Sequence, residues 1–342
     1  MWLPPPLPRT FDACLRDLSS TKPETRASAA SDLVRHGRAD EALREQALPL
    51  LQKVLADESP RVRASAAVAL ADLQAHEAVE PLLHAVEDDD AGVRQMAMAA
   101  LGEIGDARAV RRLEKAQSDK RPEMRYQAVI ALSHLLDADE LCAALQRGTS
   151  DDDFNVRYIS LRLAEERASE PAPARLVTRA ARLLDDEAAD VAIAAAIYLV
   201  KSGDERGKPL LLRIVQGTEK AQAEDEREAV ELAGRTGLTE AIPALERRAY
   251  GVFRLVRDTC SFHALIALAR LGHGRAIDDI TRDLDARSKK KREAAVVAVG
   301  RAGLVVAKER ILRMQDSDAS ADLRAEALRA LAASPSDVEA PA

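Results

Sequence analysis

The sequence contains very few aromatic residues: one Trp, four Tyr and four Phe make up 3% of its 342 residues. Large rings usually supply much of the buried area of a protein core, so this chain must fill its interior with other side chains. Alanine dominates the apolar residues instead. The composition is therefore typical of tightly stacked helices.

Cysteines are also scarce. Cys14, Cys142 and Cys260 are far apart, each falls within a predicted helix, and their spacing does not match that of a metal site. We interpret them as reduced packing residues of a cytosolic protein.

The sequence shows no clear signal for export or membrane insertion. Residues 1–9 are rich in proline and have neither a basic start nor a long apolar core, so they do not resemble a signal peptide. The longest apolar run, residues 191–200, is far too short to cross a bilayer. We expect a cytoplasmic protein that does not enter a membrane.

A repeated helix signal is the main feature that the sequence does contain, and residues 88–106 show it most clearly. An acidic turn precedes Val93 and Arg94, and Gly105 marks a helix C-cap. With Val93 as position zero, the apolar residues at +4, +7, +8 and +11 share one helix face: Ala97, Ala100, Leu101 and Ile104.

The same pair of residues recurs along the chain. The spacing from Arg63 to Arg94, and from Arg94 to Arg125, is 31 residues, and from Arg125 to Arg157 it is 32. The copies are Thr25-Arg26, Val62-Arg63, Val93-Arg94, Met124-Arg125, Val156-Arg157, Val256-Arg257, Lys291-Arg292 and Leu323-Arg324, with degenerate copies at Val191-Ala192 and Asp225-Glu226. The pattern predicts about ten units.

A second amphipathic helix precedes each of these helices, and a pair of helices this short must stack on its neighbours to bury its apolar faces. With these features the chain resembles the HEAT-repeat family, most closely its short-repeat branch named after the phycobilisome-lyase HEAT-like repeat. The resemblance implies an all-α solenoid, a right-handed superhelix of about ten antiparallel helix pairs. It indicates little about function.

The repeats divide the chain into three predicted regions. Residues 1–9 form a proline-rich lead, whose Trp2 and Leu3 we expect to cover the first repeat. Residues 10–334 form the solenoid, with a softer joint near residues 202–228, where repeats six and seven lack the arginine. Residues 335–342 are predicted to be a disordered tail.

The repeated arginine is interpreted as structural. It lies about 100° from position zero on the helix, where it can reach an aspartate of a neighbouring turn, such as Asp57, Asp119 or Asp153. The resemblance to HEAT proteins implies a ladder of such Asp–Arg contacts that holds the repeats together.

Charge is distributed unevenly. The net charge is −7, but residues 245–315 hold sixteen basic and eight acidic residues, or +8, which leaves −15 on the remainder. A basic patch stands out: Arg287, Lys289, Lys290, Lys291 and Arg292. We expect this patch to bind an acidic protein surface or an anionic polymer weakly. Nucleic acid is not the partner we expect.

A second candidate site lies on the helix face opposite the core, at positions +2, +6 and +9. In HEAT-like solenoids this face lines the concave groove. Large apolar and aromatic side chains occupy these positions in three repeats, with two charged residues among them: Tyr126, Ile130, Tyr158, Arg162, Glu165, Ile193 and Ile197. We predict that they form one exposed stripe that binds a helix or extended segment of a protein partner.

The sequence does not indicate catalytic chemistry. His76-Glu77 resembles the His-Glu pairs of HEAT-like deoxyhypusine hydroxylases, but that di-iron site needs several such pairs. HEAT-like DNA glycosylases use aromatics in the groove, whereas the only tryptophan here is Trp2. Cys260 is the best lone nucleophile candidate, and a packed helical cysteine is the favoured interpretation. We predict no catalytic residue, cofactor or metal.

These observations favour a non-enzymatic scaffold or adaptor that acts as a monomer and binds a protein partner in its groove. The alternative is a bilin-lyase-like or other lyase-associated subunit, which the resemblance alone suggests. A second alternative is binding of nucleic acid or another anionic polymer through the basic C-terminal third.

Overall fold

The computed structural model describes residues 8–167, 172–251 and 260–333, and these residues contain twenty α-helices and no strand. The predicted all-α repeat fold is confirmed. In chain order the helices are α1 (Phe11–Asp17), α2 (Pro23–Ala39), α3 (Glu41–Val54), α4 (Pro60–Asp72), α5 (Val79–Ala85), α6 (Ala91–Ile104), α7 (Val110–Ala116), α8 (Pro122–Leu135), α9 (Ala138–Gly148), α10 (Phe154–Glu166), α11 (Ala174–Arg182), α12 (Ala189–Lys201), α13 (Lys208–Gln216), α14 (Ala223–Arg235), α15 (Ile242–Tyr250), α16 (Ser261–Arg270), α17 (Gly274–Asp283), α18 (Lys289–Ala302), α19 (Lys308–Arg313) and α20 (Ala321–Ala333).

Successive helices form ten pairs, each made of an odd-numbered first helix and an even-numbered second helix. Local signals in the sequence fix their ends. In the third pair the Asp90 side chain accepts a hydrogen bond from the Val93 N–H at 3.0 Å and caps the N-terminus of α6. Gly105 ends the same helix in the left-handed conformation, with φ of 72°.

The chain divides into two compact units, Met1–Arg179 and Ala180–Ala342. Each has its own core of small and branched apolar side chains, which runs from Cys14 to Ala144 in the N-terminal unit and from Ala192 to Leu331 in the C-terminal unit. Alanine and leucine provide most of both cores, as expected for stacked helices with few aromatic residues.

Second helices of successive repeats pack on one another extensively, as α2, α4, α6 and α8 do in the N-terminal unit and α14, α16, α18 and α20 do in the C-terminal unit. First helices of successive repeats make few or no such contacts. Because the second helices lie closer together, each unit curves toward them. The second helices therefore line the concave side of each unit, and we call them the inner helices.

Glycine permits the closest approach between inner helices. A Cβ atom added to Gly102 on α6 would lie 2.9 Å from the Ala131 Cα on α8, and one added to Gly234 on α14 would lie 2.6 Å from the Ala267 Cα on α16. Neither position has room for a larger side chain.

The predicted Asp–Arg ladder is present. Arg26 Nε and Nη2 each lie 2.8 Å from an oxygen of Asp57 in the following turn, and Arg125 makes the equivalent pair of bonds to Asp151 at 2.7 and 2.6 Å. The Nη1 groups of six repeated arginines donate to a carbonyl six residues earlier, in their own turn: Arg26, Arg63, Arg94, Arg125, Arg157 and Arg292. For Arg125 this is the Asp119 carbonyl at 2.9 Å. One guanidinium thus joins two turns.

Two of the three predicted acceptors are wrong. The Asp119 carboxylate is held in its own turn by Arg121, at 2.9 and 2.8 Å, so it is not the carboxylate that Arg94 contacts. Arg94 lies 3.8 Å from Glu123 instead. Asp153 caps α10, where it accepts from two backbone N–H groups. A ladder contact needs a carboxylate that points along the stack toward the neighbouring repeat. Asp153 cannot provide it, because an N-cap side chain points into its own helix.

Repeat eight has a different register from the one predicted. Val256-Arg257 lies outside the described residues, and α16 begins at Ser261, after the buried Cys260. From Cys260 to the left-handed Gly272 is 12 residues, the same spacing as from Val93 to Gly105. Position zero of repeat eight is therefore Cys260. A shift of four residues is close to one helical turn, so the apolar pattern fits both registers.

Other predictions fall on residues outside the described ranges or remain untested. Trp2, Leu3 and most of the proline-rich lead lie in residues 1–7, and the predicted tail lies in residues 334–342. The softer joint near residues 202–228 stays a prediction. None of the helices in the described ranges is both long and apolar enough to span a bilayer.

Candidate functional site

The N-terminal unit brings five of the seven predicted groove residues onto two neighbouring inner helices. Tyr126 and Ile130 lie on α8, while Tyr158, Arg162 and Glu165 lie on α10. All five are partly exposed, and the two helices are in contact. We call these five residues the tyrosine face.

Charged residues of the tyrosine face are held in place within one helix. Arg162 Nη1 lies 3.0 Å from Glu165 Oε2, and the two side chains are 20% and 10% exposed. Because the pair is largely withdrawn from solvent, its geometry is better defined than that of an exposed ion pair. It forms a polar end to a surface that is otherwise apolar and aromatic.

Ile193 and Ile197 do not belong to an exposed stripe, so this part of the prediction is wrong. They are 1% and 0% exposed and belong to the core of the C-terminal unit. Every residue from Val191 to Val200 is buried, and α12 packs against both α13 and α14. A helix that is apolar on all sides is buried on all sides. The sequence of α12 already shows that this helix is apolar on all sides.

Sequence reasoning missed one exposed residue on the same face. Val68 on α4 occupies position +6, like Ile130, and is 43% exposed. Repeat three separates the two positions and carries the small Ala99 there. Counting position +6 in every repeat would have found Val68.

The predicted basic patch is smaller than its sequence suggests. Arg287, Lys289, Lys290 and Lys291 are exposed, but Arg292 is a ladder arginine with its side chain 16% exposed. Its Nη1 donates to the Ala286 carbonyl at 2.8 Å and its Nη2 to the Ser317 carbonyl at 2.9 Å. The exposed patch therefore has four cations.

A second concave feature lies on the inner helices of the C-terminal unit. It is a cavity of about 350 Å³, and we call it the arginine pocket. Its lining combines three arginines, one carboxylate and one imidazole with a small apolar floor: Glu231, Arg235, His263, Ile266, Ala267, Arg270 and Arg301.

Polar contacts inside the arginine pocket centre on Glu231. One of its oxygens lies 3.4 Å from His263 Nε2 and 4.0 Å from Arg301 Nη1. Burial lowers the pKa of His263, and the charges of Arg301 and Arg227 lower it further against the opposing effect of Glu231. The imidazole is therefore mostly neutral at pH 7.

The arginine pocket was not predicted because repeat eight was expected in a different register. With Cys260 as position zero, Arg235, Arg270 and Arg301 all fall at +10 of repeats seven, eight and nine. With Val256 as position zero, Ile266 falls at +10 instead of Arg270, and the three arginines no longer share one register position. The spacing to Gly272 was the signal that could have revealed it.

Candidate nucleophiles and metal ligands occupy structural places. Cys260 is 1% exposed within the core, and burial raises the pKa of the Cys14 thiol. In the part of the chain that the structure describes, no three His, Cys, Asp or Glu side chains are grouped so that they could hold a metal ion.

Comparison with known proteins supports the same architecture. Residues 12–99 and 80–164 match the sequence profile of HEAT repeats. No curated protein sequence matches the chain significantly. The X-ray structure of YibA from Escherichia coli is similar at a TM-score of 0.57 and 18% identity, over 77% of this chain and 92% of that one.

Two further solved structures are more distant. An engineered protein aligns with 94% of this chain and 98% of its own, at 18% identity and a TM-score of 0.44. The complex of CpcE and CpcF of phycocyanin lyase from Nostoc aligns with 71% of this chain and 94% of that one, at 20% identity and a TM-score of 0.41. Residues 12–164 thus resemble HEAT repeats in sequence, and the helix pairs of the described residues continue the same all-α repeat fold into the C-terminal unit.

Proposed function

We propose that this chain is a non-enzymatic scaffold that holds a protein partner against the tyrosine face of its N-terminal unit. The observation that carries the proposal is the pair Tyr126 and Tyr158, which occupy the same register position on contacting inner helices and are both partly exposed. Folding does not require two tyrosines on that side of the helices.

The chemistry of the tyrosine face suits a helix or an extended peptide segment. Packed helices lie about 10 Å apart, so the two rings would contact side chains roughly two helical turns apart in a partner helix. Tyrosine provides a large contact area at low cost in side-chain entropy, and Ile130 adds an apolar contact one turn beyond Tyr126 on α8. Arg162 and Glu165 would fix the direction in which the partner binds.

The first step of the test is to identify a partner by pull-down with the full chain and mass spectrometry. The binding affinity of that purified partner is then measured with wild-type protein and with the Tyr126→Ala/Tyr158→Ala double variant. We expect the double variant to bind at least about tenfold more weakly, as for the loss of two anchor residues. Its melting temperature should change little.

Phe154 provides a matched control. It is an aromatic residue of the same unit, 46% exposed at the start of α10, and it lies outside the tyrosine face. Phe154→Ala should leave partner affinity unchanged. Equal affinity of wild-type and double-variant protein would contradict the proposal, and so would unfolding of the double variant, because the rings would then be core residues.

A further inference from the structure

The arginine pocket is built by a regular feature of three consecutive repeats. Arg235, Arg270 and Arg301 share position +10 on α14, α16 and α18, and each of these helices contacts the next. The repeat period therefore places three guanidinium groups along one side of the concave surface. The stacking of the helices alone aligns the three arginines, without a contribution from a loop.

Arginines occupy this register position in successive repeats only in the C-terminal unit, whereas repeat one holds a single one, Arg35. In repeats two, three and five the same position holds Asp72, Glu103 and Glu166. In repeat six it holds Lys201, whose Nζ lies 2.8 Å from Glu228 and is neutralised there. Repeats seven to nine are thus the only stretch with three arginines in succession at this position.

The arginines of the pocket lack sufficient counter-charge. Within the described residues, no carboxylate lies within 4.0 Å of the guanidinium of Arg235 or Arg270, and the single carboxylate in the lining, Glu231, is shared by His263 and Arg301. Three arginines against one glutamate leave a charge of +2 when His263 is neutral.

Arg270 is positioned at the centre of this row. Its Nε donates to the Arg301 carbonyl on the next helix at 2.7 Å, which fixes the guanidinium and leaves both terminal nitrogens without a hydrogen bond to any described residue. Arg270 is exposed, but partial burial lowers the pKa of its guanidinium, and the nearby charge of Arg235 lowers it further against the opposing effect of Glu231. An anion placed between them would relieve this repulsion.

We propose that the arginine pocket binds a small oxyanion with two negative charges, such as a phosphate monoester or a dicarboxylate. Guanidinium groups bind phosphate and carboxylate oxygens through paired N–H donors. The cavity of about 350 Å³ accommodates a ligand larger than the anion itself, and Ile266 and Ala267 supply an apolar floor for its body. This site is independent of partner binding at the tyrosine face.

Inorganic phosphate and malonate are the two probes for the test. Their binding to the full-length protein is measured by isothermal titration calorimetry, with sodium chloride of equal ionic strength as the reference, up to about 10 mM, where even a millimolar site fills. We expect saturable binding. Binding of phosphate alone would assign the site to phosphate monoesters, binding of malonate alone would assign it to dicarboxylates, and either result supports the proposal.

Substitutions distinguish binding of the anion in the pocket from its general attraction to the positive charge of the protein. Arg235→Gln and Arg270→Gln should each weaken binding about tenfold, as for the loss of one charge-assisted hydrogen bond. Arg270→Lys should weaken it less, because the charge remains. Arg247→Gln is the matched control, since Arg247 is exposed on the first helix α15 and undergoes the same change of charge.

Two results would overturn the proposal. One is the absence of saturable binding of either probe to the wild-type protein. The other is an equal loss of affinity in Arg247→Gln and Arg270→Gln, which would show attraction to net charge rather than a pocket. Circular dichroism of each variant confirms that the helices remain folded.

Discussion

Arg63 Nη2 lies 2.6 Å from Asp88 Oδ1, and Arg63 Nε lies 2.7 Å from Asp88 Oδ2, so one guanidinium joins the inner helix of repeat two to the turn of repeat three. The two side chains are only 12% and 11% exposed. Because Nη1 also donates to the Asp57 carbonyl at 3.0 Å, Arg63 fixes two successive turns at once. In a solenoid such contacts are part of the nearest-neighbour coupling between repeats.

The first prediction concerns this contact. Arg63→Ala should lower the free energy of unfolding by about 1–3 kcal/mol, because it removes charge-assisted hydrogen bonds that are partly withdrawn from water. In a double-mutant cycle with Asp88→Asn, measured by urea denaturation, the effects of the two changes on the free energy of unfolding should be coupled. Arg94→Ala should cost less, since Arg94 lacks a paired aspartate. Strict additivity of Arg63→Ala and Asp88→Asn would contradict the assignment.

The second prediction concerns the spacing of inner helices. Gly102→Ala should lower the melting temperature, because its Cβ would meet the Ala131 backbone at 2.9 Å and overpacking costs about 1–3 kcal/mol. Gly274→Ala is the control, since no atom lies within 4 Å of its added Cβ. A Gly102→Ala protein as stable as Gly274→Ala would show that the helices separate at no cost.

The third prediction concerns acid stability. Hydrogen bonds from Arg121 lower the pKa of Asp119 to about 2, against an ordinary value of 3.8. A carboxyl whose pKa is lower in the folded state stabilises the protein fully above pH about 4, and this contribution is lost as pH falls toward 2. Melting temperatures measured over this range should fall less steeply in Asp119→Asn than in the wild type. Identical slopes would count against the contribution of Asp119.

The fourth prediction concerns residues 202–228. Repeats six and seven carry Ala192 and Glu226 in place of the ladder arginine, and in repeat seven Arg248 of the next first helix contacts Glu226 at 2.6 Å instead. We expect weaker coupling here, so backbone amides in this stretch should exchange with deuterium faster than those of the other internal repeats. Equal protection of the backbone amides from exchange in all internal repeats would contradict a softer joint.

The fifth prediction concerns the basic patch. Arg287, Lys290 and Lys291 are exposed, so the patch should bind an acidic protein surface or polymer weakly and in a salt-dependent way. Polyglutamate binding to the triple variant with Gln at these positions should be reduced. Arg313, which is exposed and pairs with Glu309 at 3.1 Å, gives the control substitution. Binding that disappears by about 0.15 M salt would leave the patch an ordinary solvated surface.

The sequence by itself determined the repeat architecture. Val93, Ala97, Leu101 and Gly105 specify where a helix starts, which face it buries and where it ends, because helix periodicity and capping depend on residues within a few turns. Repetition of that pattern every 31 or 32 residues then requires stacking. The ladder arginines Arg26, Arg63 and Arg125 were also predicted correctly, since each lies at a fixed place beside position zero.

Only the tertiary structure decided which side chains face solvent and which partners they meet. Ile193 and Tyr126 occupy equivalent positions, yet Ile193 is buried because α12 packs against neighbours on every side. Arg235 and Arg270 come together only when the inner helices pack in the register set by Cys260. Burial and charge clustering depend on contacts between residues 30 or more positions apart, and a local pattern carries no information about the surfaces that will cover it.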